Sequence, residues 1–247
     1  MDVFLWVLLI GFLAGTIYFG YEIFLIQKAY RDNDNLYSNA RDTYTQKADT
    51  NNLLQAPIDV DWESLLKINP DIIGWIYTEG VDISYPILQG SDNKHYLKHT
   101  YEGEYSFAGS IFMDYQNVAD LSGCNTMIYG HNMRNGSMFG SLKKYSQDNA
   151  YAVSPYFWIL TPGVNYRYEI QAAYTAQINS FTYTLFSDAG KEFREFLAQM
   201  KASSEIQTRD SDFRGDEKVV TLSTCNSNQS TRYVVQGIME RSGINQK

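Results

Sequence analysis

Eight short segments constrain this chain most, each rich in β-branched and aromatic residues and each bounded by Gly, Pro, Asn or Asp. They cover 72–77, 81–88, 110–113, 125–129, 156–160, 166–173, 218–224 and 232–239. Side chains of these types fit a pleated, half-buried surface, and the bounding residues fit tight turns. Eight such runs predict a closed or nearly closed β-barrel, an arrangement that leaves no sheet edge open. The aromatic share of 15%, with 20 Tyr, favours the same mostly β class. One segment breaks the pattern. Over 187–203, Phe193, Phe196, Leu197 and Met200 fall at i, i+3, i+4 and i+7, which puts one apolar face on a helix between the sixth and seventh strands. A shorter helix is expected from Asp61 to Lys67, stopped by Pro70.

The N-terminus has a different composition. Residues 3–21 carry no charge and are dominated by Phe, Leu, Val, Ile, Gly and Trp. At about 1.5 Å per residue that run reaches roughly 28 Å, close to the hydrocarbon thickness of a bilayer. The run is long for a signal peptide and no small-x-small cleavage site follows it, so a membrane anchor over 1–27 is the expectation. Lys28 and Arg31 follow the span while Asp2 precedes it, and charge statistics alone place the C-terminal side in the cytoplasm. Residues 28–56, polar and rich in Asn, Asp, Thr and Tyr, read as a partly helical juxtamembrane stalk, with the main domain over 57–247. The net charge of −8 argues against a nucleic-acid partner.

The seventh run ends in Thr221-Leu222-Ser223-Thr224-Cys225, and Arg232 opens the run after it. A thiol at a strand end with a guanidinium nearby suits attack on a carbonyl: sulfur is the nucleophile and the charged fork holds the oxygen that becomes negative. A free thiol is only a few per cent ionised near neutral pH, so it needs a base or a positive partner. His131, in Tyr129-Gly130-His131-Asn132-Met133, is the candidate, because it too lies where an apolar run meets glycine. Arg232 is permanently charged, which suits it to an oxyanion and not to proton transfer. No His or Cys pair has zinc-ligand spacing beside further ligands, so no metal site is expected.

Together these segments resemble the class B sortases. The resemblance is carried by Asn69-Pro70-Asp71-Ile72-Ile73-Gly74-Trp75-Ile76, Tyr85-Pro86-Ile87-Leu88-Gln89-Gly90, the stretch from Asn93 to Leu97, and Ala108-Gly109-Ser110-Ile111-Phe112-Met113-Asp114, joined by the His131, Cys225 and Arg232 segments. It covers roughly residues 57–240 in the family's order. It implies a sortase-type eight-stranded barrel with N-terminal helices, the helix between strands six and seven bordering the substrate groove, and Cys225, His131 and Arg232 as catalytic residues. The resemblance further implies substrate contacts from Asn93, Leu97, Ile178, Thr182, Tyr183, Ser223 and Asn226. Asn226 stands where the family can carry an acidic residue. His95 and His99 are expected at the surface or groove, outside the chemistry.

Membership of that class also implies a short cytoplasmic N-terminus and an external domain, opposite to the charge rule. That topology is the expectation, since Asp32 and Asp34 dilute the trailing positive charge. In an external chain Cys124 and Cys225 can form one disulfide, which would remove the nucleophile. A buried, inert Cys124 beside a free Cys225 is the expectation. The implied reaction is cysteine transpeptidation at the cell membrane without a cofactor. A secreted protein would be cleaved after Thr in a C-terminal motif of the Asn-Pro-x-Thr-Asn/Gly sort and passed through a thioester to a peptidoglycan amine. Rival readings are a pilin-polymerising class B sortase, a hydrolytic cysteine peptidase, and an anchored barrel that binds peptides without chemistry.

Overall fold

In the computed structural model, residues 2–49, 55–225 and 230–244 are described, with Asp2, Cys225 and 241–244 described by their backbone. The elements in chain order are α1 (Asp2–Tyr44), β1 (Thr45–Lys47), β2 (Ile58–Val60), α2 (Trp62–Ile68), β3 (Ile72–Thr78), β4 (Ile83–Leu88), β5 (Ile111–Met113) and β6 (Asn125–Gly130). They continue with α3 (Lys144–Gln147), α4 (Ala150–Val153), β7 (Tyr156–Leu160), β8 (Val164–Gln177), α5 (Lys191–Ala202), β9 (Val219–Cys225) and β10 (Thr231–Ile244). Each of the eight expected runs is a strand. They close into one barrel in the order β10-β8-β7-β3-β4-β5-β6-β9, and β1 pairs with β2 separately.

Two of the barrel pairings are parallel, β4 with β5 and β6 with β9. The second decides where the chemistry lies. In its register Gly130 stands opposite Thr224, so β6 and β9 run side by side to a common rim. β10 returns antiparallel along β9 and sets Arg232 opposite Cys225. Residues far apart in the chain thus reach one end of the barrel.

The α5 helix forms as its periodicity predicts. Phe193, Phe196, Leu197 and Met200 are all buried, and they pack on Ala172, Tyr174 and Ala176 of β8, Val219 of β9 and Val234 of β10. The three β8 residues alternate, so they belong to one face of that strand. Burying each phenylalanine contributes about 1.5–3 kcal/mol. Cys124 lies in the same cluster as a free, buried thiol, which excludes the disulfide reading. α2 starts where expected: the Asp61 carboxylate accepts the Ser64 amide at 3.1 Å, satisfying a donor that the helix leaves open.

The chain divides into two compact units, Met1–Asn39 and Ala40–Lys247. In the first, α1 carries the apolar run as helix long and apolar enough to cross a membrane. The helix continues without a break through residues 28–44, so no change of secondary structure marks position 27.

Candidate active site

At the shared rim a cavity of ≈ 210 Å³ is lined by His131, Arg232, Ser223, Asn93 and Leu97, with Phe112, Tyr129 and Gly130 completing its wall. Five residues singled out from the sequence therefore meet in one place. A larger cavity, ≈ 280 Å³, opens elsewhere on the barrel and is lined by Glu169, Phe213, Glu217 and Glu240 among others. It contains neither imidazole nor thiol. The smaller cavity is the one that His131 and Arg232 line.

His131 is delivered by the end of β6 and fixed by its neighbours. A Cβ on Gly130 would lie 2.8 Å from the Phe139 ring and against the Ile111 side chain, so this approach requires glycine just before the histidine. Beyond it the chain folds back: the Phe139 amide donates to the His131 carbonyl at 3.0 Å, and the Met138 amide to the Tyr85 hydroxyl at 3.0 Å. The ring itself makes one decisive contact, Nε2 to the Leu97 carbonyl at 2.8 Å. A carbonyl only accepts, so Nε2 carries the hydrogen and the neutral ring keeps its lone pair on Nδ1.

The Leu97 carbonyl is held in turn by a rigid 3-10 turn, His95–Leu97. Tyr96, buried at its centre, donates its hydroxyl to Asp71 at 2.7 Å and accepts Asn69 Nδ2 at 3.2 Å. Burial and then the Asp71 bond push the Tyr96 phenol up to about 12. The Ser110 amide donates to the Tyr96 carbonyl at 2.9 Å. Gly109 has φ +56°, and a Cβ there would come within 2.5 Å of the Tyr96 and Leu97 carbonyl oxygens. The Asn-Pro-Asp and Ala-Gly-Ser segments of the sequence thus converge on the carbonyl that orients His131. They are its scaffold.

The remaining candidates lie in different places. Tyr183 adjoins the cavity, its hydroxyl 3.0 Å from Ser223 Oγ. Ile178 is exposed and joined to the start of β10 by its amide, which donates to the Ser230 carbonyl at 3.1 Å; it is not in the cavity lining. Thr182 is turned inward. It is fully buried with its hydroxyl 2.9 Å from Tyr174 Oη, so its side chain supports the turn and does not line the groove. Asn226 lies outside the described residues. His95 is exposed and His99 half-buried, with rings stacked at 4.1 Å and His99 Nδ1 2.8 Å from the His95 carbonyl, and they are not among the lining residues.

Sequence reasoning did not single out Phe112, Tyr129 or the Asp114 behind them as site residues. Tyr129 lies two residues before His131, and alternation along β6 puts both on one face, which was the available signal. Its phenol is pushed far above the ordinary range by burial and by the Asp114 carboxylate beside it.

Comparison with known proteins gives the family. A family profile described as Sortase domain matches residues 76–240. The chain is 34% identical over 210 residues to Sortase B of Listeria monocytogenes, covering 84% of this chain and 85% of that protein. The crystal structure of Bacillus anthracis sortase B in complex with AAEK1 superposes with a TM-score of 0.73 at 32% identity, over 86% of this chain and 98% of that one. A Staphylococcus aureus sortase B–substrate complex superposes with a TM-score of 0.67, also at 32% identity, over 73% and 84% of the two chains. A barrel that brings β6, β9 and β10 to one rim, and relatives at this identity across most of the chain, lead to one conclusion: the chain belongs to the sortase transpeptidase family, in its class B branch.

Proposed function

We propose that this protein is a membrane-anchored cysteine transpeptidase that joins secreted proteins to the cell wall on the outer face of the cell. Residues 1–27 anchor it by a single pass, 28–56 act as the juxtamembrane stalk, and 57–247 form the external catalytic domain. The substrate is a C-terminal sorting motif of the Asn-Pro-x-Thr-Asn/Gly sort. The reading is supported above all by the register: Cys225 stands opposite Arg232, and Thr224 opposite Gly130, beside a cavity that His131 and Arg232 line.

In this mechanism Cys225 gives its proton to His131 Nδ1 and its sulfur attacks the carbonyl after the motif's threonine. The oxygen of the tetrahedral adduct becomes negative beside the Arg232 guanidinium, a fixed charge that needs no reorganisation. The C–N bond then breaks, and the imidazolium returns its proton to the leaving amine from the same Nδ1. The Leu97 carbonyl keeps the Nε2 hydrogen engaged throughout, which holds the ring's orientation as its charge changes. The thioester is resolved by a peptidoglycan amine, whose proton passes to His131.

The test is intact mass spectrometry of the detergent-solubilised chain after incubation with candidate motif peptides. An adduct on Cys225, absent in Cys225→Ala and released by an added amine as ligated product, supports the transpeptidase. Release equally well by water alone favours a hydrolytic peptidase, and release only by a lysine-bearing protein favours pilin polymerisation.

A further inference from the structure

Asp114 follows β5 and is 6% exposed, yet nothing in the reaction above uses it. Its two oxygens have separate duties. Oδ1 accepts the Gln116 amide at 2.9 Å, and Oδ2 accepts two side-chain donors, Asn93 Nδ2 at 2.7 Å and Tyr129 Oη at 3.0 Å. Both donors line the active cavity, from different elements of the fold. The Asn93 amide is fixed at its other end as well, since its Oδ1 accepts the Tyr115 amide at 3.1 Å.

The carboxylate is itself held on a rigid turn. The Asp114 amide donates to the Met127 carbonyl of β6 at 2.9 Å, and Gln89 Nε2 donates to the Asp114 carbonyl at 2.9 Å. A charged acceptor binds two converging donors more strongly than a neutral one does. An amide at this place could not serve both ends, because one of its faces is a donor. That donor would confront either the Gln116 N–H or the Asn93 and Tyr129 hydrogens.

We propose that Asp114 is the positioning residue of the cavity wall, aiming the Asn93 amide and the Tyr129 hydroxyl at the bound donor peptide. It sets how tightly the peptide is held and leaves the reactivity of the thiol alone. The inference rests on the transpeptidase reading and adds a residue to it. With Asp114 in place, Asn93 keeps one Nδ2 hydrogen for a ligand, and Tyr129, committed as a donor to Asp114, faces a ligand as an acceptor. The wall therefore offers one donor and one acceptor side by side, a pattern that matches a backbone or side-chain amide of the peptide.

The test compares wild type with Asp114→Asn, as full chains in detergent. The expected result is a KM for the donor peptide raised about tenfold or more, kcat changed less than about threefold, and Cys225 alkylation by iodoacetamide changed less than about twofold. Hydrogen exchange of the Asn93 side-chain amide, followed by NMR, is slow in wild type and fast in the variant. An unchanged KM overturns the inference. So does a parallel fall of kcat and alkylation with the KM effect, which would make Asp114 a support of the fold only. If wild type forms no acyl-enzyme with any peptide, the transpeptidase reading fails, and the Asn93 exchange still decides whether Asp114 positions the wall. Should Asp114→Asn not fold, Asn93→Asp sets a second carboxylate against the first; the same rise in KM is expected, and its absence refutes the role.

Discussion

Replacing Asn125 by alanine tests the idea that a buried amide fastens the turn bearing Tyr183 to the barrel. Asn125 opens β6 and is 2% exposed. Its Nδ2 donates to the Thr182 and Thr184 carbonyls, both at 3.1 Å, and its Oδ1 accepts the Thr221 hydroxyl at 2.8 Å. The two carbonyls bracket Tyr183, whose hydroxyl meets Ser223 at the cavity. Alanine leaves the Thr182 carbonyl without this donor in a dry site, at about 1–3 kcal/mol. The Thr184 carbonyl is only partly buried, so water replaces the amide there and the loss is about 0.5–1 kcal/mol. Thr221 costs less than it first suggests. Gln236 Nε2 still donates to its hydroxyl oxygen at 2.9 Å, so the oxygen keeps a partner and only the hydroxyl hydrogen loses its acceptor.

The expected loss is therefore about 2–4 kcal/mol, near the size of a buried-network break. Urea unfolding of the detergent-solubilised chain, followed by tryptophan fluorescence, reads it as a fall of about 1–2 M in the midpoint for a slope of about 2 kcal/mol/M. Amide exchange over 181–184 should accelerate in the native state, ahead of global unfolding. A loss below about 1 kcal/mol, or a full loss without faster exchange in that turn, would refute the reasoning.

Three further outcomes are expected. Arg232→Lys keeps the charge but loses the planar fork, and should lower kcat about 10²- to 10³-fold without moving the thermal midpoint; steady-state ligation with a melting curve checks both. Gly130→Ala forces a methyl against Phe139 and Ile111, should cost about 1–3 kcal/mol, and should reduce ligation further by displacing His131; wild-type stability in the melt would contradict it. Burial pushes Tyr96, Tyr145 and Tyr174 up to about 12, above the roughly 10 of an exposed phenol, so the unfolded chain releases these protons first as pH rises. Their contribution is complete below about pH 10 and is lost between about pH 10 and 12. Tyrosinate absorbance should then rise in two phases, the later one coincident with unfolding, and a single early phase would argue against the burial.

The residues of the candidate site were legible in the sequence because the signals that mark them are local. The Thr-Leu-Ser-Thr-Cys run, the Tyr-Gly-His run and Arg232 each join a strand to a chemically distinctive residue, and all lie on the strands or strand ends that patterning assigned. The α5 helix was legible for the same kind of reason, since 193, 196, 197 and 200 share a face only at a helical period. Residues 28–56 were read less fully: polar residues 28–44 carry little apolar patterning, but they continue the helix that the preceding residues begin.

The sequence by itself determined the strands, the apolar N-terminal helix and the identity of the groups able to do covalent chemistry, because propensity, period and residue type act over a few neighbouring positions. The tertiary structure alone decided which strands are neighbours. The parallel pairing of β6 with β9 is a contact across almost a hundred residues, and it is this pairing that carries His131 to the rim where β9 ends. It also decided which way side chains face in irregular segments. Thr182 turns inward and Tyr183 toward Ser223 because Asn125 takes the carbonyls on either side, and no period governs a 3-10 turn of three residues. Asp114 belongs to the same class: a carboxylate after a strand reads as a solvated end until Asn93 and Tyr129 are folded against it, and hydrogen bonds between distant side chains exist only once the chain has closed.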